Sequence, residues 1–131
     1  MEETKEPAEM TLDEVRERFS HDRFATVNGA VIDEIGEGCA RCSMALKDTH
    51  RNALGAVMGG AIFTLADFAF AVASNWNKNP QVSLNASISF LGRAKGERLI
   101  AEARKIREGK KTCYYEVMIS DELGNQVAHM T

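Results

Sequence analysis

The chain has 131 residues, 16 Lys+Arg against 19 Asp+Glu for a formal net charge of −3, 44% hydrophobic residues, ten glycines and two prolines. That length holds one domain with a real core and excludes separate cofactor and substrate domains. The composition excludes collagen-like, disulfide-rich and disordered classes, and a slightly acidic balance argues against wholesale nucleic-acid binding.

Residues 1 to 10 read as an acidic tail, and no apolar stretch of the kind a signal peptide needs occurs there. Thr11-Leu-Asp-Glu14 has the form of a capping box and predicts a short helix to about Phe19. Residues 1–19 are therefore expected as tail plus helix, and 20–131 as one domain. Phe24 to Ile35 and Cys39 to Leu46 read as strands joined by a hairpin at Gly36-Glu-Gly38. A polar loop from Lys47 to Gly55 leads into an apolar helix from Val57 to about Trp76, and Pro80 closes the connection that follows.

Three more strands are expected at Val82–Leu91, Arg98–Ile106 and Cys113–Ser120, with a short last one from Gln126, all joined through glycine-containing turns. The clearest alternation sets Val82, Leu84, Ala86, Ile88 and Phe90 against Ser83, Asn85, Ser87 and Ser89. The helix is apolar nearly all round, so it must be buried on most sides. A sheet curled around that helix satisfies both patterns, an α+β architecture rather than a doubly wound one.

The run Val57–Ala73 is 17 residues long and interrupted by Asp67, at the short limit for a membrane span and carrying a costly charge. A cytoplasmic protein engaging neither membrane nor nucleic acid is expected. Cys39, Cys42 and Cys113 are an odd number, which suits reduced thiols. Cys39-Ala-Arg-Cys42 matches C-x-x-C, but residues three apart on a strand point to opposite faces, and a zinc site lacks a second ligand pair. No metal and no cofactor are expected.

Asp67 is the only charge between Arg51 and Lys78. An unpaired ionised carboxylate cannot be buried cheaply, so it must be paired, protonated, or face a cavity or interface. Gly59-Gly60 opens the same helix, where the first N–H groups lack internal partners and, with the helix dipole, can hold a phosphate or a developing oxyanion. Eight residues separate Gly59 from Asp67, about 12 Å of helix, too far for one small electrophilic carbon to touch both. If they share a site, the second group comes from another copy, and two antiparallel helices at a two-fold axis would give two equivalent composite sites.

His50-Arg-Asn52-Ala-Leu-Gly55-Ala-Val-Met58-Gly59-Gly60, followed by Leu65-Ala-Asp67, resembles the H-x-N-x-x-G-x-x-H-G-G…L-x-D signature of hotdog-fold acyl-CoA thioesterases of the phenylacetate-pathway (PaaI-like) type. The likeness continues through Val82–Ala94, the Gly109-Lys110 turn and Asp121-Glu-Leu-Gly124, and covers about residues 20 to 131. The resemblance implies a hotdog fold, a homodimer that assembles to a homotetramer, and sites at the subunit interface. It implies that the Gly59 N–H polarises the thioester carbonyl, Asn52 helps hold the site or the water, Asp67 of the facing subunit is nucleophile or general base, and Ser83 positions the water or the carboxylate. His50, Met58 and Gly60 would contact substrate.

Two departures stand out. Met58 replaces the second His of the signature and cannot donate the hydrogen bond such a residue makes. Gly92-Arg93 stands where a proline usually precedes Ala94. Residues 93–111 hold eight basic against three acidic side chains. Arg and Lys are natural partners for the nucleotide phosphates of a coenzyme A thioester, and Arg93, Lys110 and Lys111 are expected among the substrate-binding residues. The function expected is thus acyl-CoA thioester hydrolysis. The alternative is a non-catalytic module binding acyl-CoA or an acyl carrier protein on the same fold.

Overall fold

The computed structural model describes residues 10–77 and 80–131, so nearly all of the acidic tail lies outside the described residues. Helix α1 spans Leu12–Phe19, and its capping box forms in both directions: Glu14 N–H donates to Thr11 Oγ1 and Thr11 N–H to Glu14 Oε1, each at 3.1 Å. Val15 is fully buried and Phe19 meets Phe68 edge-on at 6.3 Å, so this helix belongs to the common core.

Six strands follow: β1 (Ala30–Gly36), β2 (Cys39–Ala45), β3 (Ile88–Phe90), β4 (Arg98–Glu108), β5 (Cys113–Asp121) and β6 (Gln126–Met130). They form one antiparallel sheet in the order β1-β2-β4-β5-β6-β3. Between β2 and β3 runs the long helix α3 (Gly59–Asn75), which packs on β1, β2, β4 and β5.

The inward residues of the strands alternate as the pleat requires: Ala40, Cys42 and Met44; Leu99, Ala101 and Ala103; Tyr115, Val117 and Ile119. They close on Ile62, Leu65, Ala66, Phe68, Ala69, Val72 and Ala73 of α3. Full burial of each large aliphatic side chain is worth about 1.5–3 kcal/mol. Trp76, at the end of α3, donates Nε1–H to the Gly36 carbonyl at 3.0 Å and fixes the helix to the β1–β2 hairpin. Cys42 points into the core, where burial and then Asp33 push its thiol up to about 12, while Cys39 lies half-buried on the other side of β2.

Two expected strands are shorter than their patterns suggest. Residues 23–27 are helical, not extended: α2 (Arg23–Val27) buries Ala25 and leaves Phe24 and Val27 exposed on one face. Gly29, at φ +102, then turns the chain into β1. In Val82–Leu91 only Ile88–Phe90 pairs, with β6. Ser87 and Thr131 exchange one further pair of backbone bonds at 2.9 Å, and residues 82–86 have no neighbouring strand in the described structure. Their apolar face is therefore bare, Val82 being 87% and Leu84 81% exposed.

Candidate active site

The segment between β2 and α3 is held by a dense set of short bonds. A 3₁₀ turn at Asp48–His50 brings the ring of His50 under the chain, where it is 4% exposed. The Lys47 N–H donates to Nδ1 at 3.0 Å, which leaves the proton on Nε2, and Nε2–H donates to the Asn28 carbonyl at 2.7 Å. Both ring nitrogens are occupied, so His50, expected at the substrate, offers none to a ligand. Its own carbonyl accepts the Met58 N–H at 2.8 Å.

Asn52 organises the next turn. Its Oδ1 accepts the N–H groups of Leu54 and Ala56 at 2.9 and 3.1 Å, while its N–H donates to the Ala56 carbonyl at 2.8 Å. The side-chain amide nitrogen is left over, on an exposed residue.

Helix α3 begins without a side-chain cap. The Met58 carbonyl accepts from Ala61 and Ile62, so the N–H groups of Gly59 and Gly60 have no acceptor within the described chain. They stand at the positive end of a 17-residue helix, on exposed residues. The two glycines are needed differently. A Cβ on Gly59 would press on the ring of Phe90, whereas one on Gly60 would meet nothing within 4 Å.

Asp67 lies on the open side of α3. It follows Gly60 by seven residues, so both fall on one stripe about 10 Å apart, with Thr64 between them. Thr64 Oγ1 donates to the Gly60 carbonyl at 2.7 Å and adds no donor toward Asp67. Asp67 stays accessible, yet partial burial of its carboxyl and, second, the negative charge of Asp22 hold its pKa above the ordinary carboxylate range.

The remaining expected site residues are dispersed. Ser83 sits exposed in the irregular run before β3 and makes no hydrogen bond to Asn52, Gly59 or Asp67. Arg93 follows β3 at the end of the sheet where Phe90 covers the start of α3. Lys110 and Lys111 occupy the β4–β5 turn at the far end, beyond the eleven residues of β4. That strand is about 35 Å long, so one chain cannot bring Arg93 and the lysine pair to the same phosphate. Other basic residues of this stretch are already engaged: Arg104 with Glu116 at 2.6 Å, Lys105 with Glu108 at 3.4 Å, and Arg98 with Ser43 Oγ at 2.7 Å.

Asp22 and Phe90 were not singled out as site residues. Asp22 precedes α2 and acts on Asp67 through space, which a strand reading of residues 24–35 hides. Phe90 stands in the alternating strand and in the Val82–Ala94 stretch that carries the resemblance, and neither pattern places it over the start of α3.

Among the described residues, no group of three or more His, Cys, Asp or Glu side chains is placed to hold a metal ion, and no helix is long and apolar enough to cross a membrane.

Comparison with known proteins matches residues 54–128 to the thioesterase superfamily. A putative esterase of Archaeoglobus fulgidus is 35% identical over 84% of this chain and 72% of its own length. The acyl-coenzyme A thioesterase PaaI of Escherichia coli is 33% identical over 84% of this chain and 79% of its own. The solved structure of Escherichia coli PaaI superposes with a TM-score of 0.79 at 28% identity, covering 92% of this chain and 91% of that one. A thioesterase-like protein of Streptococcus pneumoniae, solved with coenzyme A, has the same fold at 23% identity, with a TM-score of 0.79 and coverage of 87% of this chain and 90% of that one. With the α3-wrapping antiparallel sheet, these matches settle the assignment: the chain belongs to the thioesterase superfamily, as a PaaI-like member with the hotdog fold.

Proposed function

We propose that the protein hydrolyses acyl-coenzyme A thioesters at a site shared between two protomers. The observation that carries this reading is one open stripe of α3. It presents two unpartnered N–H groups at one end and, about two turns on, a carboxylate with a raised pKa.

The Gly59 N–H donates to the thioester oxygen and stabilises the negative charge that develops there as the carbonyl is attacked. Asp67 of the facing protomer takes the proton of the attacking water, or attacks the carbonyl itself. With Asp67 as base, the water oxygen bonds to the carbonyl carbon and the C–S bond breaks. The carboxylic acid is released, and the proton held by Asp67 passes to the coenzyme A thiolate. With Asp67 as nucleophile, the C–S bond breaks to leave a mixed anhydride on Asp67. Water then cleaves it to the carboxylic acid and the free carboxylate, the second proton of that water going to the thiolate. A carboxylate whose pKa is raised is the stronger base. The Asn52 amide, with its free donor, and Ser83 of a neighbouring chain are assigned to the water and the carboxylate. Met58 and Gly60 border the acyl entry.

Three features support sharing between protomers. The Gly59–Asp67 distance exceeds what one reacting carbon spans. Residues 82–86 and the free edge of β3 leave Val82 and Leu84 bare. Arg93 and the lysine pair lie at opposite ends of the sheet. An antiparallel pairing of protomers about a two-fold axis would bring Arg93 of one beside the partner's Lys110 and Lys111, where the nucleotide phosphates would be clamped.

A panel of acyl-CoA thioesters assayed on wild type and Asp67→Asn tests the reading. Turnover lost in the variant with coenzyme A binding retained supports it. Unchanged turnover in the variant overturns it. Binding by wild type without any turnover favours the non-catalytic alternative, which Met58 makes the natural second reading.

A further inference from the structure

Through its side chain, His50 ties the loop that carries Asn52 and leads to Gly59 back to α2, a link added to the backbone bonds that hold the loop itself. Its Nδ1 closes the turn that begins at Lys47, its Nε2–H reaches the carbonyl of Asn28 at the end of α2, and its own carbonyl fixes Met58, the residue before Gly59. Asn28 is itself tied back into α2, its Nδ2 donating to the Phe24 carbonyl at 2.7 Å. The next residues on either side of this knot are those the chemistry needs. Asn52 lies two positions beyond His50, and the free N–H groups of Gly59 and Gly60 start directly after Met58.

From this geometry we infer that His50 is a positioning residue for thioester hydrolysis. It holds the Gly59 N–H and the Asn52 amide in a fixed relation to α2 of their own chain, without touching substrate. The inference rests on the proposed hydrolysis. An oxyanion donor acts through placement, and an error of about 1 Å can cost on the order of 100-fold in rate while binding of the remote parts of the substrate persists. Backbone donors cannot be replaced by substitution, so the group that aims them is where sequence controls them.

Two conservative variants separate the two ring bonds. In His50→Asn the side-chain oxygen can stand in for Nδ1. In His50→Gln the side-chain amide can stand in for Nε2–H. His50→Leu removes both. With acyl-CoA as substrate, the expected result for the Leu variant is a kcat lower by about 100-fold with KM within about threefold of wild type. The Gln variant, which keeps the bond to Asn28, is expected to recover at least about tenfold of that kcat loss. Thermal unfolding of each variant gives the folded fraction by which kcat is corrected.

The inference is overturned if corrected kcat stays within about threefold of wild type, if Gln recovers nothing, or if KM alone rises, which would make His50 a binding residue. The wild-type protein supplies an independent measurement should the variants not fold. The ¹⁵N spectrum of the His50 ring should show the Nε2–H tautomer unchanged when coenzyme A is added, and a change of tautomer on binding overturns the inference. Loss of turnover in wild type itself, or retention in Asp67→Asn, instead marks failure of the hydrolase reading.

Discussion

Gly59 lies beneath the ring of Phe90: a Cβ built on it would stand 3.1 Å from the ring Cζ and 3.4 Å from Cε1. The start of α3 and strand β3 thus approach as closely as they do because this residue has no side chain. Gly60, its neighbour, has open space around its missing Cβ and no positive φ. A glycine in a helix costs up to about 1 kcal/mol relative to alanine, so nothing within the chain explains its use there. The two substitutions should therefore part company. Gly59→Ala is expected to displace Phe90, lower the melting temperature and reduce activity. Gly60→Ala should melt at or above the wild-type temperature yet lose at least about tenfold in kcat/KM, equivalent to about 1.4 kcal/mol of transition-state binding. Full activity in Gly60→Ala would show that neither substrate nor a second protomer approaches this face.

Asp67→Asn separates stability from chemistry. Burial and Asp22 raise the pKa of Asp67 above that of the unfolded chain, so folding favours its protonated form. The stability that this shift contributes is complete below the unfolded pKa and is lost as pH rises through the folded one. At pH 7 the ionised side chain is therefore a liability that asparagine lacks. Thioester turnover should disappear while the melting temperature at pH 7 stays equal or rises, with the difference shrinking toward pH 4. A melting temperature that drops by several degrees at pH 7 would mean that the carboxylate holds the fold together. The acid limb of the wild-type pH–rate profile should lie above the pKa of about 3.9 of an unperturbed aspartate.

Much of this architecture is legible in the sequence because each part is specified locally. The Thr11–Glu14 box, the all-round apolar helix and the Arg98 and Cys113 strands each carry their own pattern, and the structure has them within a few residues. Two segments misled for one reason. Phe24, Val27, Val82 and Leu84 look like residues seeking a core, yet all four are exposed in the single chain. Hydrophobicity announces burial without saying against what. The site was legible as a list but not as a geometry. Nothing in the spacing of His50 reveals that its ring donates to a carbonyl 22 residues earlier. Nor does the run of basic residues at 93–111 reveal that one long strand carries them to opposite ends of the sheet.

Asp121 shows how firmly the end of the sheet opposite the Lys110–Lys111 turn is built. It is 2% exposed, and its two oxygens accept the backbone N–H groups of Lys95, Gly96, Leu123 and Asn125 and the side-chain amide of Asn125. Burial alone would raise its pKa, but those donors outweigh it and hold the carboxyl well below the usual range. A depressed pKa gives stability that is present above the unfolded value of about 3.9 and is lost as pH falls further. Asp121→Ala strands several donors and should cost about 3 kcal/mol or more, roughly 10 °C in melting temperature. The stability of the variant should also fall less steeply than wild type between pH 5 and pH 2. A variant that melts as wild type does would remove the carboxylate from the account of this turn.

Val82 and Leu84 provide the most direct check on whether the site is shared. At 87% and 81% exposure they make little contact within the chain, so replacing either should change the stability of an isolated protomer by no more than about 0.5 kcal/mol. If a second protomer covers them, each contributes about 1.5–3 kcal/mol to association, and a charge placed there costs more. Val82→Asp and Leu84→Asp should therefore shift the protein toward monomer in sedimentation experiments at micromolar concentration. Activity should fall in proportion to the dimer lost and return as concentration is raised. Asp67, still present in every monomer, would be idle for want of the facing Gly59. Monomeric variants that keep full specific activity would place the whole site within one chain, and a dimer unmoved by both substitutions would put the interface elsewhere.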